Sequence, residues 1–240
     1  PAWWAAALLC AFGAWYYRQT PSEIADVAKY HKVFMELLPN SPDPAGDLAA
    51  LGLDPSWTGA MGRIAYAPGS PFQDPAFRAE FLRRFRYSRL LGFYATHPPR
   101  LASTLRRGGL QALTLRHPRF GNLEHRPGVP PGAKATSFSA WSRARAGLPG
   151  HPLGWLVPLL GASAVLAAAT RRRASPVGRL ARDGIVVLVA MAACAFLVCV
   201  LANAHGDLPR HLYVFHALCD LILIADVVWI VSASSGRRRT

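Results

Sequence analysis

The chain has 240 residues, is 52% hydrophobic, and carries 27 lysines and arginines against 13 aspartates and glutamates, a net charge of +14. This length accommodates one soluble domain and a small helical membrane part. All four cysteines lie in hydrophobic segments, so the polar part of the chain has neither disulfide bonds nor a metal site with thiolate ligands.

The first segment, residues 2–17, contains sixteen consecutive uncharged residues with tryptophans and tyrosines near its two ends. A helix of that length covers about 24 Å, and amphipathic rings favour the headgroup layers. The pattern predicts a transmembrane helix, short for a full crossing, and we expect it to be the last part of a helix from a longer polytopic protein. A secretory signal peptide is the alternative, although the segment lacks a basic leader and a small-residue cleavage site.

The polar region that follows, residues 18–150, predicts a mostly α-helical extracytoplasmic domain with long irregular loops. Helical spacing of apolar residues begins at Ser22 and ends before the proline-rich turn that starts at Pro39. Residues 116–150 are rich in proline, glycine and arginine, which predicts a long irregular segment that wraps around the C-terminal side of the domain. Three further helices are predicted, each with a start or stop signal: 46–51 before Gly52, 76–96 after Asp74-Pro75, and 100–107 before Gly108-Gly109.

Four arginines of the 76–96 helix, Arg83, Arg84, Arg86 and Arg89, are candidate contacts for lipid phosphates. One interpretation is an interfacial helix with its rings in the headgroup layer and its guanidinium groups on phosphates. The other is a helix whose aromatic residues form the domain core while its arginines are solvated. The arginines spread over most of the helix circumference, which favours the second interpretation. For the basic surface as a whole, we expect anionic or polyprenyl-phosphate lipids as partners and no nucleic acid.

Three apolar runs, residues 153–170, 184–204 and 212–233, close the chain. Their lengths of 18, 21 and 22 residues match the roughly 20 residues that a helix needs to cross a hydrocarbon core. A segment in lipid must satisfy its own backbone hydrogen bonds, so each run predicts a helix. With the first segment, the sequence predicts an all-α membrane protein with about four transmembrane helices and the bilayer as its partner.

Arginines set the expected topology. Short loops rich in lysine and arginine stay in the cytoplasm, whereas long translocated domains do not obey this rule. The connection between the second and third segments and the tail after the fourth are both basic, and both are cytoplasmic if the segments alternate across the membrane. We therefore expect residues 18–150 outside and the C-terminus inside. The cytoplasmic arginines are Arg171, Arg172, Arg173, Arg179 and Arg182 in the connection and Arg237, Arg238 and Arg239 in the tail.

The densest set of ionisable residues lies near and within the last helix. Asp220 and Asp226 interrupt its apolar run, and each aspartate in a membrane costs about 2.5–3.5 kcal/mol. His216 lies one turn before Asp220, so it is the expected partner of that carboxylate. The set comprises His205, Asp207, Arg210, His211, His216, Asp220 and Asp226.

Three interpretations of this set stay open. In the first, His205, Asp207, His211 and His216 gather a divalent metal such as zinc or manganese, although their spacing matches no established metal motif. In the second, the two aspartates form a proton or ion relay. The third, which the pattern favours, is structural: Asp207 caps the last helix, the basic residues lie among headgroups, and the aspartates bond to helices of a longer protein. The sequence contains no phosphate-binding loop, nucleophile elbow or metalloprotease motif, so we assign no catalytic residue, cofactor or metal.

Six strings of the sequence together carry a resemblance: Leu38–Pro44, Leu51–Pro55, Phe93–Pro98, Phe120–Glu124, Phe138–Ser142 and Arg210–Tyr213 with Asp220. They resemble the C-terminal part of large bacterial polytopic membrane proteins, whose layout is similar to the GT-C class of glycosyltransferases. The resemblance implies a protein of the bacterial cytoplasmic membrane that acts on lipid-linked sugars together with an N-terminal transmembrane part of the same protein. In GT-C enzymes the catalytic carboxylate lies in the first outer loop, so no catalytic residue carries over to this chain. A non-enzymatic membrane-anchored binding or assembly protein and part of a transporter are the alternatives.

Overall fold

The computed structural model describes most of the chain, and all regular structure in its described residues is helical, which confirms the expected all-α class. By compactness the chain divides into unit 1, residues 1–97, and unit 2, residues 98–240. The predicted helix over 2–17 and most of the predicted wrap fall outside the described residues. Those residues are 21–112, 139–148, 150–171, 175–203 and 208–237, with the isolated positions 11, 15, 18, 19, 114, 128–130, 133 and 134.

Unit 1 begins with α1, Ser22–His31, which continues without a break through a π-helical turn, Lys32–Leu37, and a 3-10 turn, Leu38–Asn40. This confirms the helix predicted from Ser22 to the proline-rich turn. Its inward face supplies Tyr30 and Phe34, whose ring centroids are 4.7 Å apart. Burial raises the pKa of the Tyr30 phenol, since the charged form is disfavoured away from water.

The next helix, α2, runs from Pro44 to Ala50 and begins two residues earlier than predicted, because the Asp43 side chain caps it by accepting a hydrogen bond from the Gly46 backbone N–H at 3.0 Å. Gly52 follows with a φ of +73°, a conformation that suits glycine. Two 3-10 turns, Pro55–Ala60 and Pro71–Gln73, then bring Phe72 beside Tyr30, with 4.7 Å between the ring centroids.

The single helix predicted over 76–96 is wrong, because the chain forms two helices there, α3, Pro75–Arg84, and α4, Tyr87–Thr96. Phe85 and Arg86 between them have extended backbones, with ψ of 130° and 141°. The break keeps Phe85 in the core, where it is 3% exposed and stacks on the Phe81 ring at 5.5 Å. The two short helices therefore bury Phe81, Phe93 and Tyr94 and leave Arg83 and Arg89 exposed, while Arg78 and Arg84 are partly buried.

Unit 2 begins with α5, Pro98–Gln111, which corrects the helix predicted over 100–107. Gly108 and Gly109 were expected to end that helix, but both are buried inside it. A Cβ on Gly108 would lie 2.5 Å from a Val200 methyl group, and one on Gly109 would lie 2.5 Å from Leu153 Cγ. The glycines serve close packing of α5 rather than its termination.

A short helix, α6, Ala140–Ala146, precedes the membrane helices. These are α7, Leu153–Arg171, α8, Pro176–Ala202, and α10, Tyr213–Arg237, with the short α9, Leu208–His211, before the last. The three long helices are apolar enough to cross a membrane, which confirms three of the predicted spans. α8 packs against both α7 and α10, and the side chains at their contact include Ala192, Phe215 and Ile222.

Candidate functional site

A buried arginine on α6 organises the polar part of unit 2. Arg145 is 5% exposed and lies four residues after Trp141, so both side chains leave the same face of α6. The Arg145 Cζ atom lies 5.9 Å from the centroid of the Trp141 ring, within the range of a cation–π contact. Trp141 and Arg145 thus lie side by side on one face of α6, a helix of seven residues.

This face of α6 meets Asp220 on α10. Arg145 Nη1 donates to Asp220 Oδ1 at 3.3 Å, and Trp141 Nε1 donates to the same oxygen at 3.2 Å. The Asp220 side chain is 35% exposed whereas that of Arg145 is 5% exposed, so the ion pair has one buried partner and one partly open partner. Asp220 lies seven residues into α10, roughly 10 Å along its axis.

Arg145 also joins Asp220 to His216 and to the end of α5. Its Nη2 donates to His216 Nδ1 at 3.1 Å and to the backbone carbonyl oxygen of Ala112 at 3.2 Å. Because Nδ1 accepts this bond, His216 carries no proton on that nitrogen in this arrangement. The direct pairing expected between His216 and Asp220 is therefore corrected, since the guanidinium group lies between them and contacts both.

Two apolar grooves adjoin this cluster. The larger, about 460 Å³, is lined by Trp141, Asp220, Leu223, Ile224, Val227 and Val228. The smaller, about 170 Å³, is lined by Arg145, Trp155, Leu156 and Cys219 among others, and it shares Trp141 and Leu223 with the larger. The 48% exposed Trp141 side chain thus belongs to both grooves. The site offers hydrocarbon surface on each side of a charged group.

Asp226 has a separate partner. Ser163 Oγ on α7 donates to Asp226 Oδ2 at 2.5 Å and also lies 3.0 Å from the backbone oxygen of Leu159. Both aspartates thus have partners in this chain, whereas the expected bonds to helices of a longer protein stay a prediction. Asp220 and Asp226 are six residues apart, about 240° around a helix, and their described partners lie on different helices, so the relay stays a hypothesis without a described link.

The other four residues of the ionisable set predicted near the last helix do not join the Arg145 cluster in the described part of the structure. His205 and Asp207 fall outside the described residues. Arg210 and His211 lie on α9 with exposed side chains. Among the described residues, no three His, Cys, Asp or Glu side chains come together as a metal site, but the proposed metal needs the two undescribed ligands and stays untested.

The arginines predicted as phosphate contacts lie in unit 1 and are partly engaged. Arg83 and Arg84 both donate to Glu80, at 2.6 and 2.5 Å, and together they lower the pKa of its carboxyl group to about 2. Arg84 also lies 5.8 Å from the Trp57 ring centroid, and Arg89 Nη1 donates to the Arg84 backbone oxygen at 3.1 Å. The fourth arginine of the set, on the extended link between α3 and α4, is exposed.

Sequence reasoning missed Arg145. The signal that could have found it is the cost of Asp220, because a carboxylate within an apolar helix needs a cation. The nearest arginine in sequence, Arg210, lies on α9, outside that helix. Two arginines lie shortly after the quoted Phe138–Ser142 string, and spacing alone does not distinguish Arg145 from the exposed Arg143.

These features define a helical membrane protein with a charged cluster at the side of its transmembrane helices. The family model described as the YfdI N-terminal transmembrane domain matches residues 2–240, and the chain belongs to this family of bacterial membrane proteins. The family is described as an N-terminal domain, whereas the strings named above resemble the C-terminal part of larger proteins. The family match does not support that part of the resemblance, which stays an expectation. No curated protein and no solved structure matches the chain.

Proposed function

We propose that this chain is the part of a bacterial envelope protein that binds a lipid-linked phosphate, as a glycosyltransferase for lipid-linked sugars requires. The observation that carries the proposal is the Arg145–Asp220 pair, which lies beside two apolar grooves. A polyprenyl chain occupies the larger groove. Its phosphate lies at Trp141, which belongs to both grooves, and contacts the guanidinium group of Arg145 in the lining of the smaller groove.

The Arg145–Asp220 pair is costly to keep in a membrane protein. Ionised side chains on transmembrane helices cost about 2.5–3.5 kcal/mol and usually mark substrate paths. Replacing a buried ion pair with apolar residues is often neutral or stabilising. A stable bundle therefore has little need of Arg145 and Asp220, which supports a role in binding.

The shape of the site supports a ligand with a charged head and an apolar tail. The larger groove, at about 460 Å³, falls in the usual range of small-molecule sites, about 300–1,000 Å³. Its lining combines four aliphatic side chains with Trp141 and one carboxylate. Arginine suits a phosphate because its planar donor fork matches two phosphate oxygens.

The proposal includes the topology expected from the arginines. Residues 18–150 lie outside the cytoplasmic membrane and the C-terminus lies inside. The exposed arginines of α3 and of the link after it contribute weaker contacts with anionic headgroups, about 1 kcal/mol for each cation near a charged membrane surface.

The test measures binding of polyprenyl phosphate and of the polyprenol of equal chain length to the full chain in phospholipid nanodiscs. We expect the wild-type chain to prefer the phosphate. Arg145→Gln should weaken phosphate binding by roughly tenfold or more, the usual loss when a charge-assisted hydrogen bond of about 1.5–3 kcal/mol is removed. Polyprenol binding should change little.

Arg143→Gln is the matched control, because Arg143 lies on α6 and is exposed. Equal binding of phosphate and alcohol by the wild-type chain, or equal losses in the two variants, contradicts the proposal. Phosphate-specific binding without sugar transfer by the complete protein would identify a non-enzymatic binding protein instead.

A further inference from the structure

A second cavity lies entirely within unit 1 and has a different chemistry. This cleft has a volume of about 460 Å³ and is lined by side chains of α1, the turn before α3, and α3 itself. The polar and aromatic side chains that line it are Glu23, Asp26, Tyr66, Phe72, Gln73 and Arg78. The cleft shares no lining residue with the Arg145 site, which belongs to unit 2.

The charges of the cleft disfavour a phosphate. Glu23 and Asp26 lie three residues apart on α1, so their carboxylates are neighbours. Asp26 accepts a hydrogen bond from Lys29 Nζ at 3.0 Å and lies 3.7 Å from Arg78 Nη2. The lining therefore presents two carboxylates, and the nearby cations Lys29 and Arg78 are both paired with Asp26, which disfavours binding of a dianion.

An exposed aromatic ring stands at the cleft and is held in place by its neighbour in the chain. Tyr66 is 68% exposed. The backbone of Ala65 is fixed on both sides, because its N–H donates to His31 Nε2 at 3.0 Å and its carbonyl oxygen accepts from Gln73 Nε2. The Tyr66 ring also meets the His31 ring edge-on, with 6.3 Å between centroids and an angle of 87°.

A large exposed ring normally loses conformational freedom only when something orders it. Here the two bonds at Ala65 hold the backbone from which the Tyr66 side chain projects, and the His31 ring contacts the Tyr66 ring on one side. Such pre-organisation of the backbone lowers the cost of binding. Arg78 is ordered as well, since its Cζ lies 5.2 Å from the Phe72 ring centroid. The cleft thus holds fixed hydrogen-bond donors and acceptors beside an aromatic face.

We propose that this cleft binds a neutral saccharide. Sugar hydroxyls both donate and accept hydrogen bonds, so they pair with the Glu23 and Asp26 carboxylates and with the Arg78 guanidinium group at once. The C–H face of a pyranose ring packs against the Tyr66 ring.

The test uses the full chain in phospholipid nanodiscs, because detergents with sugar headgroups would occupy the cleft. The probes are glucose, galactose, rhamnose and maltose, observed by saturation-transfer difference NMR. We expect at least one to give a signal with the wild-type chain, and its dissociation constant to rise roughly tenfold in Tyr66→Ala, as for loss of an aromatic contact residue. Glu23→Gln should weaken the same probe by a smaller factor, since the amide keeps one acceptor.

Met61→Ala is the matched control for Tyr66→Ala, because Met61 is 42% exposed in the same unit and does not line the cleft. Spermidine is the charged competitor. The inference is overturned if no probe gives a signal, if Met61→Ala reduces the signal as much as Tyr66→Ala, or if spermidine binds more tightly than every sugar and is lost in Glu23→Gln. Polyprenyl phosphate binding through Arg145 is measured separately, so either proposal can fail alone.

Discussion

Replacing Asp220 with leucine should destabilise the membrane helices by leaving Arg145 buried without its counter-charge. The substitution removes the ion pair at 3.3 Å and the Trp141 hydrogen bond at 3.2 Å. Breaking a buried pair by removing one partner typically costs about 3–5 kcal/mol. Two features place this case at the lower limit, about 3 kcal/mol: the Asp220 side chain is 35% exposed, and Arg145 retains His216 and Ala112 as acceptors.

The double variant Arg145→Met/Asp220→Leu should recover most of that loss. A methionine of similar length fills the space of the arginine stem, and apolar replacements of buried pairs are often neutral. We expect its free energy of unfolding to lie within about 1 kcal/mol of wild type. The coupling energy between the two positions is then at least about 2 kcal/mol, and it grows by the cost of the single substitution Arg145→Met. The assay is reversible unfolding in mixed micelles by titration with a denaturing detergent, followed by circular dichroism.

Two results would refute this reasoning. One is a cost below about 0.5 kcal/mol for Asp220→Leu, the level of an ordinary surface substitution. The other is strict additivity of the two single substitutions, since residues in contact should couple. A double variant that folds normally but no longer binds polyprenyl phosphate would show that the pair serves the ligand rather than the bundle.

Two further predictions concern α3 and α5. Glu80→Gln should raise affinity for anionic vesicles by up to about fivefold, because it releases Arg83 and Arg84 from their shared carboxylate. The pKa of Glu80 is lowered to about 2, so in wild type these ion pairs persist as the pH falls through the ordinary carboxylate range and are lost only as it approaches 2. Gly108→Ala should lower the free energy of unfolding by about 1–3 kcal/mol, because its Cβ would overlap Val200, and Val200→Ala in that background should restore part of the loss.

Controls for both exist in the same chain. Gly92→Ala on α4 should be neutral or stabilising by about 0.5–1 kcal/mol, since nothing lies within 4 Å of its Cβ position. If it destabilises as much as Gly108→Ala, close packing is not the reason for the α5 glycine.

Vesicle binding of Glu80→Gln is compared in low and high salt, and a gain that persists at high salt would argue against an electrostatic cause.

The sequence predicts the membrane helices well because their signal is local. Length and apolarity decide a transmembrane segment, and the predicted spans agree with α7, α8 and α10 to within a few residues except at the start of α8. There the helix begins at Pro176, eight residues before the predicted start, because its basic first turns continue the helix beyond the apolar run.

The errors in the prediction arise where distant contacts decide. The break between α3 and α4 places Phe85 in a core built from α1 and the Pro71–Gln73 turn, which no local pattern of arginines and rings reveals. Gly108 has the composition of a helix stop, yet packing against Val200, far along the chain, determines its role. Arg145 illustrates the same limit for the site, since its partners lie 33, 71 and 75 positions away.

The buried glycines of α5 have a practical consequence for dissecting this protein. A soluble fragment that ends at Gly150 would include α5 without Val200 and Leu153, the side chains against which its glycines pack. Its bare helix face would then be free to associate with other copies. A fragment that ends at His97 keeps the aromatic core of Tyr30, Phe34 and Phe81 and does not include α5, so it lacks that uncovered helix face.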